Sequence, residues 1–167
     1  MSDEKKIGMI LDLNQWEYDD FVHFRQAFRS GYFTEALRIG SYCIVQWDYT
    51  VPPVSEAVDE LRTSQIFETV QTFMEQLNLV IEGINTDDVE IDLDGWTGAQ
   101  YDEFIKLGGQ EELTAKDVGQ MQTLLRMVAV FDDGFEREVG LTAVEGWKIT
   151  QAITPHVERL FRRGSRR

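Results

Sequence analysis

Histidine, cysteine and clustered carboxylates are the side chains through which this sequence could carry out catalysis or bind a metal. The two histidines, His23 and His156, lie far apart in sequence, and neither has a second imidazole three or four residues away, as a two-histidine metal helix requires. The single cysteine, Cys43, lies in an apolar run. We expect it to pack there as a small hydrophobic side chain rather than to act as a nucleophile.

Acidic residues gather between positions 87 and 94, where their carboxylates could offer oxygen ligands to calcium: Asp87, Asp88, Glu90, Asp92 and Asp94. The run lacks the glutamate that closes a calcium-binding loop. Its alternating pattern instead places the last three acids on the wet face of a strand. The glycines form no phosphate-binding pattern either. We therefore predict no metal, no cofactor and no enzymatic activity.

The composition is typical of a soluble globular protein. The chain has 167 residues, of which 43% are hydrophobic, and this is enough apolar material for a packed core. No apolar run is long enough to span a membrane, and the charged N-terminus is unlike a secretory signal. We therefore expect a cytoplasmic protein that does not contact the membrane.

The net charge of −14, from 30 acidic and 16 basic residues, argues against general binding to nucleic acid, which requires a basic face. The exception is the basic tail RLFRRGSRR, which holds no acid and five arginines: Arg159, Arg162, Arg163, Arg166 and Arg167. This tail could be an electrostatic arm for RNA, another acidic surface or the acidic body of a second copy. Alternatively, its charge only complements a helix C-terminus.

The spacing of apolar residues predicts a mainly α-helical protein with two short strands, Ile7–Leu13 and Val89–Leu93. Residues with capping side chains are predicted to start the helices: Asn14 with Glu17, Thr34, Ser55, Thr97 with Gln100, Thr114, and Thr142 with Glu145. A longer helix is predicted to carry residues 66–80 on one apolar stripe.

Two of these helices are predicted to be long. The helix that starts at Thr34 is expected to extend to Trp47, and the helix that starts at Thr114 is expected to extend to Phe131, because apolar residues recur at helical spacing throughout both segments.

The second half of the chain repeats the order of the first. The sequence LDLNQW at 11–16 matches IDLDGW at 91–96, and YDDF at 18–21 matches YDEF at 101–104. We therefore predict a duplication that gives two pseudo-repeated small helical bundles, residues 1–83 and 84–167. Each would begin with a short strand or extended segment, and the two would pack together as one unit.

Aromatic residues are in surplus, and seven of them lie within the eighteen residues from Trp16 to Phe33. One helix cannot direct all of these rings at one core, so some are expected to stay exposed as a protein-binding surface. Burial of them all is the alternative. The predicted partner-binding residues are the aromatic anchors of both halves: Trp16, Tyr18, Phe21, Phe24, Trp96, Tyr101 and Phe104.

The first half also resembles a known family. Its LDLNQW and YDDF motifs, followed by SGYF at 30–33, IVQWDY at 44–49 and the prolines at 52–53, resemble the tail assembly chaperones and related small morphogenesis proteins of long-tailed bacteriophages. The resemblance covers residues 10–80 and extends to the second half only through the repeat. It implies a protein of the host cytoplasm that keeps the partly apolar, helical tape measure protein soluble until tube subunits displace it.

Three classes of non-enzymatic function therefore stay open. A chaperone should bind an apolar or amphipathic helix with little dependence on salt. An acidic mimic of nucleic acid should inhibit a DNA- or RNA-binding enzyme, and its binding should weaken steeply with salt. A structural subunit should associate with further copies through exposed aromatic residues and the basic tail.

Overall fold

The computed structural model describes the chain over residues 9–47 and 60–165, with side chains for residues 9–45 and 60–158. This part of the chain is mainly helical, as predicted, and contains six α-helices and four short strands. Contacts within the chain divide it into two compact units, Met1–Gly83 (unit 1) and Ile84–Arg167 (unit 2).

Unit 1 combines a two-stranded antiparallel sheet with helices. Its elements in the described part of the chain are β1 (Met9–Leu11), α1 (Tyr18–Arg29), α2 (Phe33–Gly40), β2 (Ile44–Trp47) and α3 (Thr63–Glu82). Met9 lies opposite Trp47 and Leu11 lies opposite Ile44, with a shift of register after Ile10. Because alternate side chains of a strand face opposite ways, Met9 and Leu11 are buried and Ile10 is exposed.

Unit 2 is built from elements of the same kinds. Over its described residues these are β3 (Val89–Ile91), α4 (Gly98–Gly108), α5 (Ala115–Val128), β4 (Ala129–Phe131) and α6 (Ala143–Ser165). The two strands are antiparallel, with Val89 opposite Phe131 and Ile91 opposite Ala129. The helix α6 continues through Pro155.

Two of the predicted helices end earlier than expected, so the predicted helix to Trp47 and the predicted helix to Phe131 are wrong. The helix α2 ends at Gly40 and is followed by a short 3₁₀ turn and β2, while α5 ends at Val128 and leads directly into β4. Each of these strands pairs with the strand at the start of its own unit. Pairing between distant segments therefore outweighs the local helical spacing.

The predicted capping residues of unit 2 are confirmed. Thr97 Oγ1 accepts a hydrogen bond from the Gln100 N–H at 3.3 Å, and Thr114 Oγ1 accepts one from a backbone N–H in the first turn of α5 at 3.1 Å. Thr142 Oγ1 accepts one from the Glu145 N–H at 3.1 Å. These bonds satisfy backbone donors that have no partner within the helix.

The predicted caps of unit 1 are not formed as expected. Glu17 itself precedes α1, and its N–H donates to the carboxylate of Asp20 at 3.0 Å, so Asn14 does not cap this helix. Thr34 lies inside α2, which begins one residue earlier. The predicted helix from Ser55 lies outside the described residues.

The cores of the two units differ in composition. Unit 1 is centred on aromatic rings, which are Trp16, Phe21, Phe24 and Phe73. Apart from Trp96 and Phe131, the large buried hydrophobic side chains of unit 2 are aliphatic, and they include Val118, Met121, Leu124, Leu125, Leu141, Ile149 and Ile153. In the described part of the chain, no helix is both long enough and apolar enough to cross a membrane.

Candidate functional site

The predicted partner-binding aromatic residues divide into a buried and a half-buried group. Trp16, Phe21, Phe24 and Trp96 belong to the cores of their units, so the expectation that these four rings are exposed is wrong. Tyr18, Tyr101 and Phe104 are half-buried. The four core rings therefore lie beneath the surface that a partner would contact, and a binding role stays a prediction for the three half-buried ones.

Trp16 is the centre of unit 1 and is fully buried, with 0% exposure. Its indole Nε1 donates a hydrogen bond to the carbonyl oxygen of Ile39 at 2.9 Å. Its ring centroid lies 5.3 Å from that of Phe24 and 6.0 Å from that of Phe73. Because buried indole N–H groups need a partner, this bond allows the whole side chain to enter the core.

Trp96 has the same arrangement in unit 2. Its Nε1 donates to the carbonyl oxygen of Leu124 at 2.7 Å, and its ring lies 4.8 Å from Phe104 and 6.4 Å from Tyr101. The 3₁₀ turn before each tryptophan also begins in the same way, with an aspartate carboxylate accepting a hydrogen bond from the backbone two residues later. The two units thus share a local design, and their origin by duplication stays a prediction.

Tyr18 shows the electrostatic effect of partial burial in unit 1. Burial raises the pKa of its hydroxyl to about 12, because removal from water disfavours the phenolate, and the nearby Arg25 opposes this shift. The hydroxyl is therefore neutral over the physiological pH range.

A series of ring contacts leads from the core of unit 1 to its surface. Phe24 is 6.1 Å from Phe28, Phe28 is 5.5 Å from Phe33, and Phe33 is 5.7 Å from Phe67 of α3. Phe67 is 55% exposed, and Tyr32, which directly precedes Phe33, is 68% exposed. We call Tyr32, Phe33 and Phe67 the aromatic surface.

The sequence assigned Phe67 to the core stripe of its helix and so missed its exposure. The apolar spacing alone gave no signal, because neighbouring residues of a helix can both lie on a wide buried face, as Leu124 and Leu125 do in unit 2. Ile66 is half-buried, whereas the ring of Phe67 extends toward solvent from Phe33.

In unit 2, the loop between β4 and α6 is held by side chains of the neighbouring helices. We call residues 132–141 the unit 2 loop. Arg126 of α5 donates from Nη1 to the carbonyl oxygen of Gly140 at 2.7 Å and from Nη2 to that of Glu138 at 3.2 Å. Its guanidinium carbon also lies 4.0 Å from the ring centroid of Phe135, which adds a cation–π contact.

Two further side chains accept hydrogen bonds from this loop and its end. Gln122 Oε1 accepts one from the Leu141 N–H at 2.7 Å. The buried carboxylate of Glu145 accepts one from the Glu136 N–H and one from the Thr142 N–H, both at 2.9 Å. The carboxylate is thereby satisfied by backbone donors, which makes its burial tolerable.

A cleft of about 180 Å³ opens beside the unit 2 loop. Aromatic rings and charged groups line it, including Phe131, Phe135, Asp88, Asp133, Glu136 and Lys148. Lys148 Nζ is 3.1 Å and 2.9 Å from the two carboxylate oxygens of Asp88. The ion pair neutralises one acid, and the remaining carboxylates leave the cleft negatively charged.

The cysteine, the histidines and the acidic residues that the sequence offered for catalysis or metal binding do not form a reactive site in the described part of the chain. Cys43 is buried, its Sγ donates to the carbonyl oxygen of Gly40 at 3.3 Å, and burial raises the pKa of the thiol to about 12. His23 is exposed on α1 and His156 is half-buried on α6. Among the described residues, no three His, Cys, Asp or Glu side chains are grouped to hold a metal ion.

The basic tail lies partly on a helix. Residues 159–165 form the end of α6, so three of the predicted arginines, Arg159, Arg162 and Arg163, have helical backbone. Their side chains, and the whole of Arg166 and Arg167, lie outside what the structure describes.

No protein-family model matches this chain, and no match was found among curated proteins or solved structures. Function must therefore be inferred from the chain's own residues.

Proposed function

We propose that this chain is a non-enzymatic protein-binding module that holds the apolar face of a helical partner, in the manner of the tail assembly chaperones that it resembles. The single observation that carries the proposal is the aromatic surface. Phe67 and Tyr32 leave most of their rings in water, and covering such rings with a partner gains about 25 cal/mol per Å² of apolar area. Exposed aromatic groups of this kind mark binding surfaces.

The position of the aromatic surface also favours binding. Phe33 lies between Phe28 and Phe67, 5.5 Å and 5.7 Å from their rings, and so Phe67 extends from a packed base rather than standing alone. A ring that is already fixed loses little side-chain entropy when a partner covers it. Aromatic side chains held in this way are typical anchors of protein interfaces.

The charge of the chain suits the same role. A net charge of −14 favours the solubility of a chain that leaves an apolar surface exposed. Binding that depends on apolar contact should respond weakly to salt, since screening acts on charges and not on the hydrophobic effect.

A synthetic amphipathic peptide with a face rich in leucine and phenylalanine and no net charge would test the proposal. Calorimetric titration into the full chain should show binding with a negative heat-capacity change. The affinity should change by less than about threefold between about 0.05 M and about 0.5 M salt. The double variant Tyr32→Ser with Phe67→Ser should bind at least about tenfold more weakly.

Leu79→Ser is the matched control, because Leu79 is also a large exposed apolar residue of α3, at 61% exposure. It lies twelve residues after Phe67, or about 18 Å along the helix, and its replacement should leave the affinity unchanged. Absence of binding, or equal weakening by both variants, would contradict the proposal. A steep loss of affinity with salt would instead favour the acidic mimic of nucleic acid.

A further inference from the structure

The unit 2 loop presents an apolar tip among acids. Val139 is 86% exposed, the largest value among the large apolar residues that the structure describes. Four acidic residues and one basic residue surround it in the loop, and all are exposed: Asp132, Asp133, Glu136, Glu138 and Arg137. A segment that binds here should therefore be basic and should also carry apolar side chains.

The loop is organised before any partner arrives. Arg126, Gln122 and Glu145 hold its backbone by hydrogen bonds at several points, and so a partner does not need to order it. Preorganisation of this kind lowers the entropic cost of binding. The loop thus has the features of a recognition surface rather than of a simple connection.

The adjacent cleft can accept a guanidinium group. Its walls include the rings of Phe131 and Phe135, and the carboxylates of Asp133 and Glu136 lie among its lining residues. Arginine combines a planar cation, which stacks on aromatic rings, with donors that match carboxylates.

The chain itself contains a segment of matching chemistry. The basic tail holds five arginines and no acid, and it includes the apolar residues Leu160 and Phe161. Its charge is opposite to that of the loop, and its apolar residues match the exposed Val139 and the rings of the cleft. Charge complementarity together with apolar matching singles out this tail as the occupant.

The tail of the same chain cannot reach the cleft. Lys148 lines the cleft near the start of α6, and the helix continues without a break to Ser165. At a rise of 1.5 Å per residue, Arg159 lies about 16 Å and Ser165 about 25 Å along the axis from Lys148. We therefore propose that the unit 2 loop and its cleft bind the basic tail of a second copy, so that copies associate head to tail.

Charge reversal on both sides tests this proposal. The loop variant carries Asp133→Lys and Glu138→Lys, and the tail variant carries Arg162→Glu and Arg163→Glu. Light scattering at about 0.05 M salt should show association of the unaltered full-length chain and its loss at about 0.5 M salt. Each variant alone should have an association constant at least about tenfold lower, and an equimolar mixture of the two should recover association, because each supplies the complement of the other.

A control separates this pairing from a general change of charge. Asp102→Lys with Glu103→Lys alters the net charge by the same amount at two exposed positions of α4, and this variant should associate like the unaltered chain. Circular dichroism should show that all variants are folded.

Three results would overturn the proposal: a monomeric unaltered chain at low salt, a control that dissociates as the loop variant does, or a mixture that does not recover. A synthetic peptide of residues 157–167 that binds the chain, but not the loop variant, while the chain itself stays monomeric would identify the occupant as a basic segment of another protein. That result would also overturn the second-copy proposal.

Discussion

The two units close their sheets with equivalent backbone contacts. The Asp12 N–H donates to the carbonyl oxygen of Cys43 in unit 1, and the Asp92 N–H donates to that of Val128 in unit 2, both at 2.8 Å. Ile39, which accepts the indole hydrogen bond in unit 1, lies four residues before Cys43, and Leu124 lies four residues before Val128. These bonds define equivalent positions in the two units without reference to side-chain identity.

The equivalent positions are filled in different ways. Gly40 follows Ile39, and Leu125 follows Leu124. A Cβ atom on Gly40 would lie 3.0 Å from the ring of Phe73, so the missing side chain makes room for an aromatic ring from α3. Leu125 is itself buried and fills this space in unit 2. The same backbone arrangement therefore accommodates either core, because the space is filled by a ring from another helix in unit 1 and by a side chain of the helix itself in unit 2.

In the turn before each tryptophan, the glycine is in unit 2 and the larger residue is in unit 1. Gln15 occupies this position in unit 1, is exposed, and donates from Nε2 to the Asp12 carboxylate at 3.3 Å. Gly95 occupies it in unit 2, where a Cβ atom would lie 2.4 Å from the carbonyl oxygen of Met127. The second unit thus brings its turn closer to the end of its helix, and glycine is required there for space.

Replacement of the central tryptophans should lower the free energy of unfolding most, and the size of the loss should differ between the two units. Trp16→Ala should lower the free energy of unfolding by about 5 kcal/mol and Trp96→Ala by about 3 kcal/mol. Both remove one hydrogen bond, but Trp16 also packs against Phe73 of α3. Urea denaturation followed by circular dichroism measures both losses. A larger loss for Trp96 would mean that the aromatic core of unit 1 adds little.

Gly95→Ala should be the next largest change, with a loss of about 2 kcal/mol or more, because the new methyl group would collide with backbone rather than with a flexible side chain. Gln15→Ala, at the equivalent position of unit 1, should cost less than about 0.5 kcal/mol. The same denaturation experiment compares them. Equal losses of stability in the two variants would show that the two turns are packed alike, which would contradict the prediction.

Alkaline pH should destabilise unit 1 through Cys43. Burial raises the pKa of this thiol from its ordinary 9.0 to about 12, so the stabilisation is fully present below pH 9.0. Above that value the unfolded chain loses the proton while the folded chain keeps it, and stability falls as the pH rises toward 12. Cys43→Val, which introduces the residue found at position 128 of unit 2, should remove the part of this dependence that begins near pH 9.0. Tyr18, whose pKa burial also raises to about 12, should still cause a fall that begins near pH 10.

Urea midpoints at about pH 8 and about pH 9.5 measure this difference, because the unfolded thiol loses most of its proton between these two pH values. The midpoint should fall more for the unaltered chain than for Cys43→Val. An equal fall in both proteins would assign the alkaline sensitivity to other groups.

Asp12→Ala and Asp92→Ala should have small and closely similar effects. Each carboxylate accepts a backbone hydrogen bond at the start of a 3₁₀ turn, at 3.1 Å from Asn14 and 3.0 Å from Asp94. Loss of such a cap costs about 1 kcal/mol, so the two variants should agree within about 0.5 kcal/mol. A clear difference would show that the equivalent hydrogen bond contributes differently to the stability of the two units.

The helices could be predicted from the sequence because their signals are local. Thr97, Thr114 and Thr142 each start a helix by a hydrogen bond to a residue three positions later, and this spacing is visible in the chain itself. The strands β2 and β4 could not be predicted, since the apolar spacing of the preceding helix continues into each of them and each is only three or four residues long. Their conformation depends on partners more than thirty residues away.

The sequence predicted that some aromatic rings would be exposed as a binding surface, but it did not predict which ones. The surplus of aromatic residues in the first half correctly indicated that some rings stay exposed. Which rings are exposed depends on Phe73, which lies more than forty residues beyond α1 and covers Trp16 and Phe24. Thr142 marked the end of the unit 2 loop in the sequence, but the shape of the loop could not be predicted, because it depends on Arg126 and Glu145, which lie on either side of it.

The buried indole at the centre of each unit has a consequence for spectroscopy. Trp16 and Trp96 have different surroundings: the Trp16 ring packs against the buried rings of Phe24 and Phe73, whereas the Trp96 ring packs against the half-buried Phe104 and Tyr101. Each should emit fluorescence at short wavelength while its unit is folded and shift to longer wavelength when water reaches it. With phenylalanine at the other three tryptophan positions, a single remaining indole would report the melting of its own unit, and the chain would thereby carry two intrinsic probes of whether its halves unfold together.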